Sequence, residues 1–214
     1  MAKKNGSNGF IIDFWDSIFN FLSKISIFHV IRKFKKDTSY TFVDAWVLGN
    51  LIAAVLSTVL GYYIGSKANW LMYIIIGYGM LRVFEVVVYQ LNVLFFHPYR
   101  AAKAGKPYKI KSPTRMVILL LHNYVEVMFW YAGIIIALIS INNASMTFAW
   151  GEYIRSSVLC VATFDSGAIA EVVGELYPRL SNVIFLQVVT GLIMTIVSLA
   201  RFIGLMPEID SIED

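Results

Sequence analysis

The chain has 214 residues, of which 58% are hydrophobic and 15% are charged, and its formal net charge is +4. A soluble domain carries about 25% charged residues, so this composition, with a mean hydropathy of +0.67, argues against an ordinary soluble fold and predicts an all-α integral membrane protein. The single cysteine, Cys160, excludes an intrachain disulfide and a multi-cysteine metal site.

Residues 10–36 mix aromatic side chains with polar residues spaced three or four apart, among them Asp13, Asp16 and Lys24. This spacing predicts an amphipathic helix in an N-terminal region, 1–40. The helix either lies in the inner membrane interface or packs on the cytoplasmic ends of the spanning helices, and the sequence leaves both open.

Four segments have the roughly 20 mostly apolar residues that a membrane-spanning helix needs. They are residues 43–64, 70–96, 115–141 and 183–205, and an acidic tail, 208–214, follows them. Lys and Arg collect before the first span and between the second and third, as is typical of cytoplasmic segments. We therefore expect both termini and the 97–114 loop to be cytoplasmic, in a bacterial inner or plasma membrane.

The 97–114 loop belongs to a peripheral unit, 41–114, with the first two spans. Its basic residues are Arg100, Lys103, Lys106, Lys109 and Lys111, with no acidic residue among them. Their expected partner is anionic membrane lipid. A soluble cytoplasmic protein is an alternative partner, and nucleic acid is a less favoured one.

Ionisable residues are costly inside a membrane and usually pair or face water. Span two contains Arg82 and Glu85, and span three contains His122 and Glu126. At a rise of about 1.5 Å per residue, Arg82 lies at the depth of Glu126, and Glu85 at that of His122. We predict two ion pairs that clamp these spans together; a proton relay or a voltage sensor is the alternative.

The connection between the third and fourth spans, 142–182, is long for an external loop. A helix-compatible half-length stretch, 147–164, is followed by the polar residues DSGAIAEVVGE and then by Tyr177 and Pro178. This order is typical of a re-entrant loop, since irregular backbone at membrane depth must line water or be buried in protein. A solvated turn above a four-helix bundle is the alternative.

Residues 115–205 resemble the pore domain of the tetrameric pore-loop cation channels, especially small bacterial potassium-channel-like proteins. The resemblance rests on the short helix ending in VATF, the filter-like segment after it, the Tyr177–Pro178 pair and the final SLARFIGL. It implies a homotetramer, with a re-entrant pore helix and loop in a pore domain at 115–207. The implied filter residues are Thr163, Phe164, Asp165, Ser166 and Gly167.

The potassium filter sequence TVGYG is absent. Instead, TFDSG resembles the Thr-x-acid-Ser-Trp filter of sodium and calcium channels, with Gly167 in place of Trp. This resemblance implies a ring of Asp165 carboxylates, which would attract cations. Glu171 and Glu175 would then lie at the outer mouth of the pore.

The last span carries a weakly polar stripe at helical spacing, formed by Gln187, Thr190, Gly191, Met194 and Ser198. The stripe either lines the pore or allows close helix packing through its small residues. Arg201, near the inner mouth, opposes cation flow unless it pairs with the acidic tail.

The predicted function is a cation channel that needs no cofactor apart from a permeant monovalent cation. The alternative is a non-conducting membrane anchor or sensor subunit, which recruits a soluble partner through the basic loop. We expect neither catalysis nor a metal site, because the three histidines are scattered and no Walker loop, dinucleotide fingerprint or HExxH motif is present.

Overall fold

The computed structural model describes residues 9–28, 31, 39–108 and 112–205, and no strand occurs among them. Its α-helices, in chain order, are α1 (Phe10–Leu22), α2 (Tyr40–Ile64), α3 (Asn69–Leu91), α4 (His97–Lys103), α5 (Pro113–Ile141), α6 (Trp150–Thr163), α7 (Gly167–Val173) and α8 (Tyr177–Leu205). A π-helical turn, Asn92–Phe96, joins α3 to α4. The all-α prediction is confirmed for the described residues.

Four helical segments are long and apolar enough to cross a membrane, as predicted. They are Tyr40–Ile64, Asn69–Lys103, Pro113–Ile141 and Gly167–Gly204, each with a stretch whose mean hydropathy lies between 1.8 and 2.3. The shortest has 25 residues. At 1.5 Å per residue this is about 37 Å, which exceeds the roughly 30 Å of a bilayer hydrocarbon core.

Helix α5 lies at the centre of the bundle. Of its most apolar stretch 72% is buried, against 28%, 44% and 33% for the other three spanning segments. Its neighbours are α2, α3, α6 and α8. Every residue from Trp130 to Ala137 is buried, as expected of a helix that is surrounded by protein on all sides.

Glycines let the other helices approach α5 closely. A Cβ on Gly133 of α5 would overlap the Ser57 hydroxyl of α2, and one on Gly79 of α3 would lie 3.0 Å from the Trp130 ring. Small residues at such contacts let membrane helices pack closely against one another. One apolar cluster, which includes Ala54, Val83, Trp130, Val161 and Met194, then joins α2, α3, α5, α6 and α8.

Helix α6 is about half the length of the spanning helices and lies beside them. Near its first residue, Trp150 Nε1 donates to Thr58 Oγ1 (3.2 Å), close to the end of α2. Near its last residue, Val161 contacts Gly191 in the middle of α8. Helix α6 therefore runs from the end of the bundle where α2 meets α3, here called the α2–α3 end, to about the middle of α8.

After α6 the chain turns and returns toward the α2–α3 end. Phe164 adopts a left-handed conformation with φ of +61°, which ends α6. Helix α7 packs on α6, and its Ile169 is buried in a cluster with Tyr153 and Ile184. Gly174 has φ of +51°, which glycine adopts without steric cost, and it ends α7.

Helix α1 lies at the opposite end of the bundle, here called the α4 end, and contacts it through Asp16 and through half-buried apolar residues such as Phe19, whose ring stacks on Phe96. Asp16 Oδ1 accepts a hydrogen bond from Arg100 Nε (2.6 Å). The apolar residues Phe10, Ile11 and Phe21 are 83%, 67% and 63% exposed. This orientation favours an interfacial location, because the uncovered apolar side suits lipid better than water.

The N-terminal helix is shorter than the sequence predicted. Helix α1 ends at Leu22, and after one 3-10 turn the backbone of Ser26 is extended, with ψ of 134°. A single helix over 10–36 is therefore wrong. Residues 29–30 and 32–36 of that segment lie outside the described residues.

Replacing Gly191 with Ala is expected to destabilise the fold by about 1–3 kcal/mol, because the added methyl group would overlap the backbone of Val161. Gly77→Ala in α3 is the matched control, since nothing lies within 4 Å of a Cβ at that position. Thermal unfolding in detergent measures both variants. Equal melting temperatures would contradict the close approach of α6 to α8.

Candidate functional site

The residues proposed as a filter lie in the turn between α6 and α7, where local hydrogen bonds hold them. Thr163 Oγ1 donates to the Leu159 carbonyl (2.7 Å). The Gly167 amide donates to Asp165 Oδ1 (3.0 Å). Asp165 is thus oriented by the first residue of α7, with its second carboxylate oxygen left for other partners.

This turn is on the surface of the bundle, beside the middle of the spanning helices. Residues 162–165 are exposed. Val161, just before them, contacts Gly191, which is about 21 Å from the first residue of α8 at 1.5 Å per residue. Asp165 also lies close enough to the buried Cys160 to act on it electrostatically. Its carboxylate therefore lies about halfway along the spanning helices.

The other two carboxylates of the segment are exposed as well. Glu171 lies on α7, and Glu175 lies in the 3-10 turn that follows it. Among the described ion pairs, none includes Asp165, Glu171 or Glu175. The 164–176 connection therefore presents uncompensated negative charge on one side of the bundle.

The stripe of α8 that the sequence offered as pore-lining is packed inside the chain. Its buried members are Gln187, Thr190, Gly191 and Met194, and Ser198 is half-buried. Gln187 Nε2 donates to Ser157 Oγ of α6 (2.8 Å). Thr190 Oγ1 lies 2.8 Å from the Tyr131 hydroxyl of α5. The pore-lining prediction is wrong, because α5 and α6 cover this face, and the alternative of close packing is confirmed.

The opposite face of α8 is the exposed one, and it is apolar. Phe185, Ile196 and Leu199 are 66%, 55% and 57% exposed. Apolar side chains are what lipid or another apolar surface would contact. Sequence periodicity distinguishes the two faces of α8, but it does not indicate which one other helices cover.

The predicted pair between Arg82 and Glu126 is present and buried. Arg82 Nε donates to Glu126 Oε1 (2.6 Å), and Nη2 donates to Oε2 (3.1 Å), the two-pronged geometry that arginine and carboxylate favour. Trp130 Nε1 also donates to Glu126 Oε1 (3.1 Å). The side chains of Arg82 and Glu126 are 5% and 0% exposed. Each buried charge is therefore compensated by the opposite charge of its partner.

The predicted pair between Glu85 and His122 is wrong. Glu85 Oε2 accepts from Arg82 Nη1 (2.8 Å). Glu85 Oε1 accepts from the Phe28 amide (2.9 Å) and from the Ser26 hydroxyl. His122 Nδ1 lies 2.9 Å from a carbonyl of its own helix. The equal depth of Glu85 and His122 in their helices did not make them a pair, because the N-terminal segment supplies the other partners of Glu85.

Two basic residues assigned to lipid or partner contact pair within the chain. Arg100 Nε lies 2.6 Å from Asp16, and Lys103 Nζ lies 2.8 Å from Asp13. Hydrogen bonds from Lys103 and then Tyr99 hold the pKa of Asp13 below its usual value. A lowered carboxylate pKa stabilises the contact at neutral pH, and this contribution is lost as the pH falls through that pKa.

The remaining basic residues of the loop are less defined. Lys106 is exposed, and its role as a lipid contact stays a prediction. Lys109, Lys111 and the acidic tail, 208–214, lie outside the described residues.

Comparisons with protein-family models, with curated proteins and with solved structures gave no match. The fold itself places the chain among all-helical proteins with the architecture of an integral membrane protein. Within that class, a half-length helix and its turn carry exposed carboxylates, and a buried ion network holds the central helices together.

Removing either partner of the Arg82–Glu126 pair is expected to cost about 3–5 kcal/mol, because the other charge stays buried without its partner. Combining Arg82→Met with Glu126→Gln should cost less than the sum of the two single losses. Unfolding free energies in detergent measure this difference.

The control for this cycle is the exposed pair of Arg155 and Glu152, whose side chains are 67% and 41% exposed. Its removal is expected to change stability by at most about 1 kcal/mol. Strictly additive losses at positions 82 and 126 would show that the two residues do not act as a pair.

Proposed function

We propose that several copies of this chain assemble in a membrane with their α6–α7 turns facing one another, and that together they form a path for cations. The observation that carries the proposal is the exposed Asp165 carboxylate, about halfway along the spanning helices. A charged side chain that faces lipid at the bilayer centre costs about 2.5–3.5 kcal/mol on insertion scales. The surface around Asp165 therefore favours water or another copy over lipid.

The backbone of the same turn supports this arrangement. Residues 164–166 are not helical, and Phe164 has φ of +61°. Irregular backbone at membrane depth is stable only where it is buried in protein or lines water. Helices of the same chain cover one side of the turn, so a water-filled path or a second copy on the other side would complete its surroundings.

The charges near the turn favour a cation. Helix α6 ends at Thr163, and the C-terminal end of a helix carries a partial negative charge. Asp165 adds a full negative charge two residues later, and Glu171 and Glu175 add two more toward the α2–α3 end. Repeated around an axis, such groups attract cations and repel anions.

In this proposal the α2–α3 end faces outward and the α4 end is cytoplasmic, as the basic residues of the 97–114 loop favour. Helix α6 is then a re-entrant pore helix, and α1 lies in the inner interface. Four copies, a bacterial inner or plasma membrane and a monovalent cation follow from the resemblance to pore-loop channels. The exposed apolar face of α8, with Phe185 and Ile196, would contact neighbouring copies or lipid.

A non-conducting subunit that recruits a soluble protein through the basic loop is less well supported. Arg100 and Lys103 already pair with Asp16 and Asp13 of α1. An acidic partner would have to displace these contacts, which reduces the charge available for recruitment.

Asp165→Asn is expected to lower the cation-over-anion permeability of the protein in liposomes by about tenfold or more, since a unit charge at 4 Å is worth about 4 kcal/mol in partly screened surroundings. Asn keeps an oxygen that accepts from the Gly167 amide, so the turn is preserved. Glu152→Gln, near the start of α6, is the matched control and should change little. Wild-type liposomes that stay impermeable to cations would contradict the proposal.

Cross-linking tests the assembly separately from conduction. In a Cys160→Ala background, Asp165→Cys provides the single cysteine of the chain, and a short thiol-reactive cross-linker is expected to join copies in liposomes. Ile52→Cys on α2, where Ile52 is 52% exposed, is the control and should form no cross-link between copies. If the two variants behave alike, the turns do not face one another.

A further inference from the structure

A cavity of about 880 Å³ lies at the α4 end, lined by the C-terminal end of α1, by α2, α3 and α5, and by the end of α8. Along α5 its lining extends from Arg115 to Asn123, about 12 Å at the helical rise. Val47, Phe84 and Leu120 are among its apolar lining residues. Cavities of roughly 300–1,000 Å³ with mostly apolar walls and a few polar groups are typical of ligand sites.

Four arginines line this cavity, and three of them have carboxylate partners. The lining arginines are Arg82, Arg100, Arg115 and Arg201. Arg82 pairs with Glu126, Arg100 with Asp16 and Arg115 with Asp44, at 2.6, 2.6 and 2.5 Å. Arg201 has no carboxylate within ion-pair distance in the part of the chain that the structure describes.

The Arg201 guanidinium is buried and its hydrogen-bonding capacity is largely unused. The residue is 6% exposed, and its Nε and Nη2 atoms have no hydrogen-bond partner among the described residues. Its Nη1 lies 2.7 Å from Met116 Sδ, a weak acceptor. The Tyr108 side chain hydrogen-bonds to the guanidinium, and Tyr89 lies within its electrostatic reach, but a phenol hydroxyl is not a carboxylate counter-charge.

Two further polar groups lie around the cavity. His97 lies within electrostatic reach of both Arg100 and Arg201. Asn123, which is 4% exposed, has a side-chain oxygen with no hydrogen-bond partner in the described part of the chain. A buried guanidinium needs a counter-charge, and its planar fork matches the oxygens of phosphate and carboxylate groups.

We propose that this cavity binds an amphiphile with an anionic phosphate head. The phosphate pairs with Arg201, and the apolar part lies against Val47, Phe84 and Leu120. A bilayer supplies such molecules, and the predominantly apolar wall favours an attached hydrocarbon chain over a small soluble anion. The bound molecule would connect the end of α8 to α2, α3 and α5.

The test uses the full-length protein in neutral detergent and three probes. Dioleoyl phosphatidic acid carries both phosphate and chains, dioleoylglycerol has the chains alone, and glycerol 3-phosphate has the phosphate alone. Native mass spectrometry and ligand-dependent thermal unfolding measure binding. Phosphatidic acid is expected to bind at least about tenfold more tightly than either of the other probes, because only it uses both parts of the cavity.

Arg201→Gln is expected to weaken phosphatidic acid binding about tenfold or more, the usual effect of losing a charge-assisted hydrogen bond. Without ligand, this variant should fold at least as stably as the wild type, since it removes a buried unpaired charge. Arg201→Lys keeps the positive charge but lacks the planar guanidinium group, and it should bind phosphatidic acid with intermediate affinity. Arg155→Gln, at an arginine whose side chain is 67% exposed, is the matched control and should bind like the wild type.

Three outcomes would overturn the proposal. In the first, Arg201→Gln and Arg201→Lys both bind phosphatidic acid as tightly as the wild type. In the second, glycerol 3-phosphate binds as tightly as phosphatidic acid, which would indicate a soluble anion. In the third, phosphatidic acid binds only after Glu208, Asp210, Glu213 and Asp214 are replaced by their amides, which would show that the tail of the chain supplies the counter-charge.

Discussion

The guanidinium group of Arg82 joins three parts of the chain inside the bundle. It binds Glu126 of the central helix α5 and Glu85 of its own helix α3, and Glu85 in turn accepts a hydrogen bond from the Phe28 amide. In a low-dielectric interior each of these charges is tolerated only while its partners are present. The network therefore holds α3, α5 and the N-terminal segment in a defined arrangement, and the other helices pack around it.

The central helix also determines where α6 lies. Ser157 Oγ donates to the Met128 carbonyl of α5 (2.9 Å), and the Tyr124 hydroxyl lies 2.8 Å from Thr195 Oγ1 of α8. The Tyr124 hydroxyl also donates to the Val161 carbonyl of α6 (3.5 Å). These contacts with α5, together with the close approach of Val161 to Gly191 of α8, hold the half-length helix against the full-length ones. The end of α6 and the turn after it consequently lie beside the middle of the bundle, where the exposed Asp165 needs water or protein around it.

Two regions of the bundle, the α6–α7 turn about halfway along it and the cavity at the α4 end, leave opposite charges without a described partner. On the side of the α6–α7 turn the unpaired groups are carboxylates, whereas at the α4 end the unpaired group is the Arg201 guanidinium inside a cavity. Opposite charges at different depths suit different ligands, a cation in the first case and an anionic head group in the second. The proposals for the two regions rest on separate observations.

The sequence by itself determined the all-helical class, the four apolar helices and the common depth of Arg82 and Glu126, because hydropathy and helical rise are properties of each segment alone. It did not determine which face of α8 is covered, where Glu85 finds its partners, or that Arg201 lines a cavity. Only the tertiary structure decided these, because they depend on the rotation of each helix about its axis and on segments that are distant in the chain.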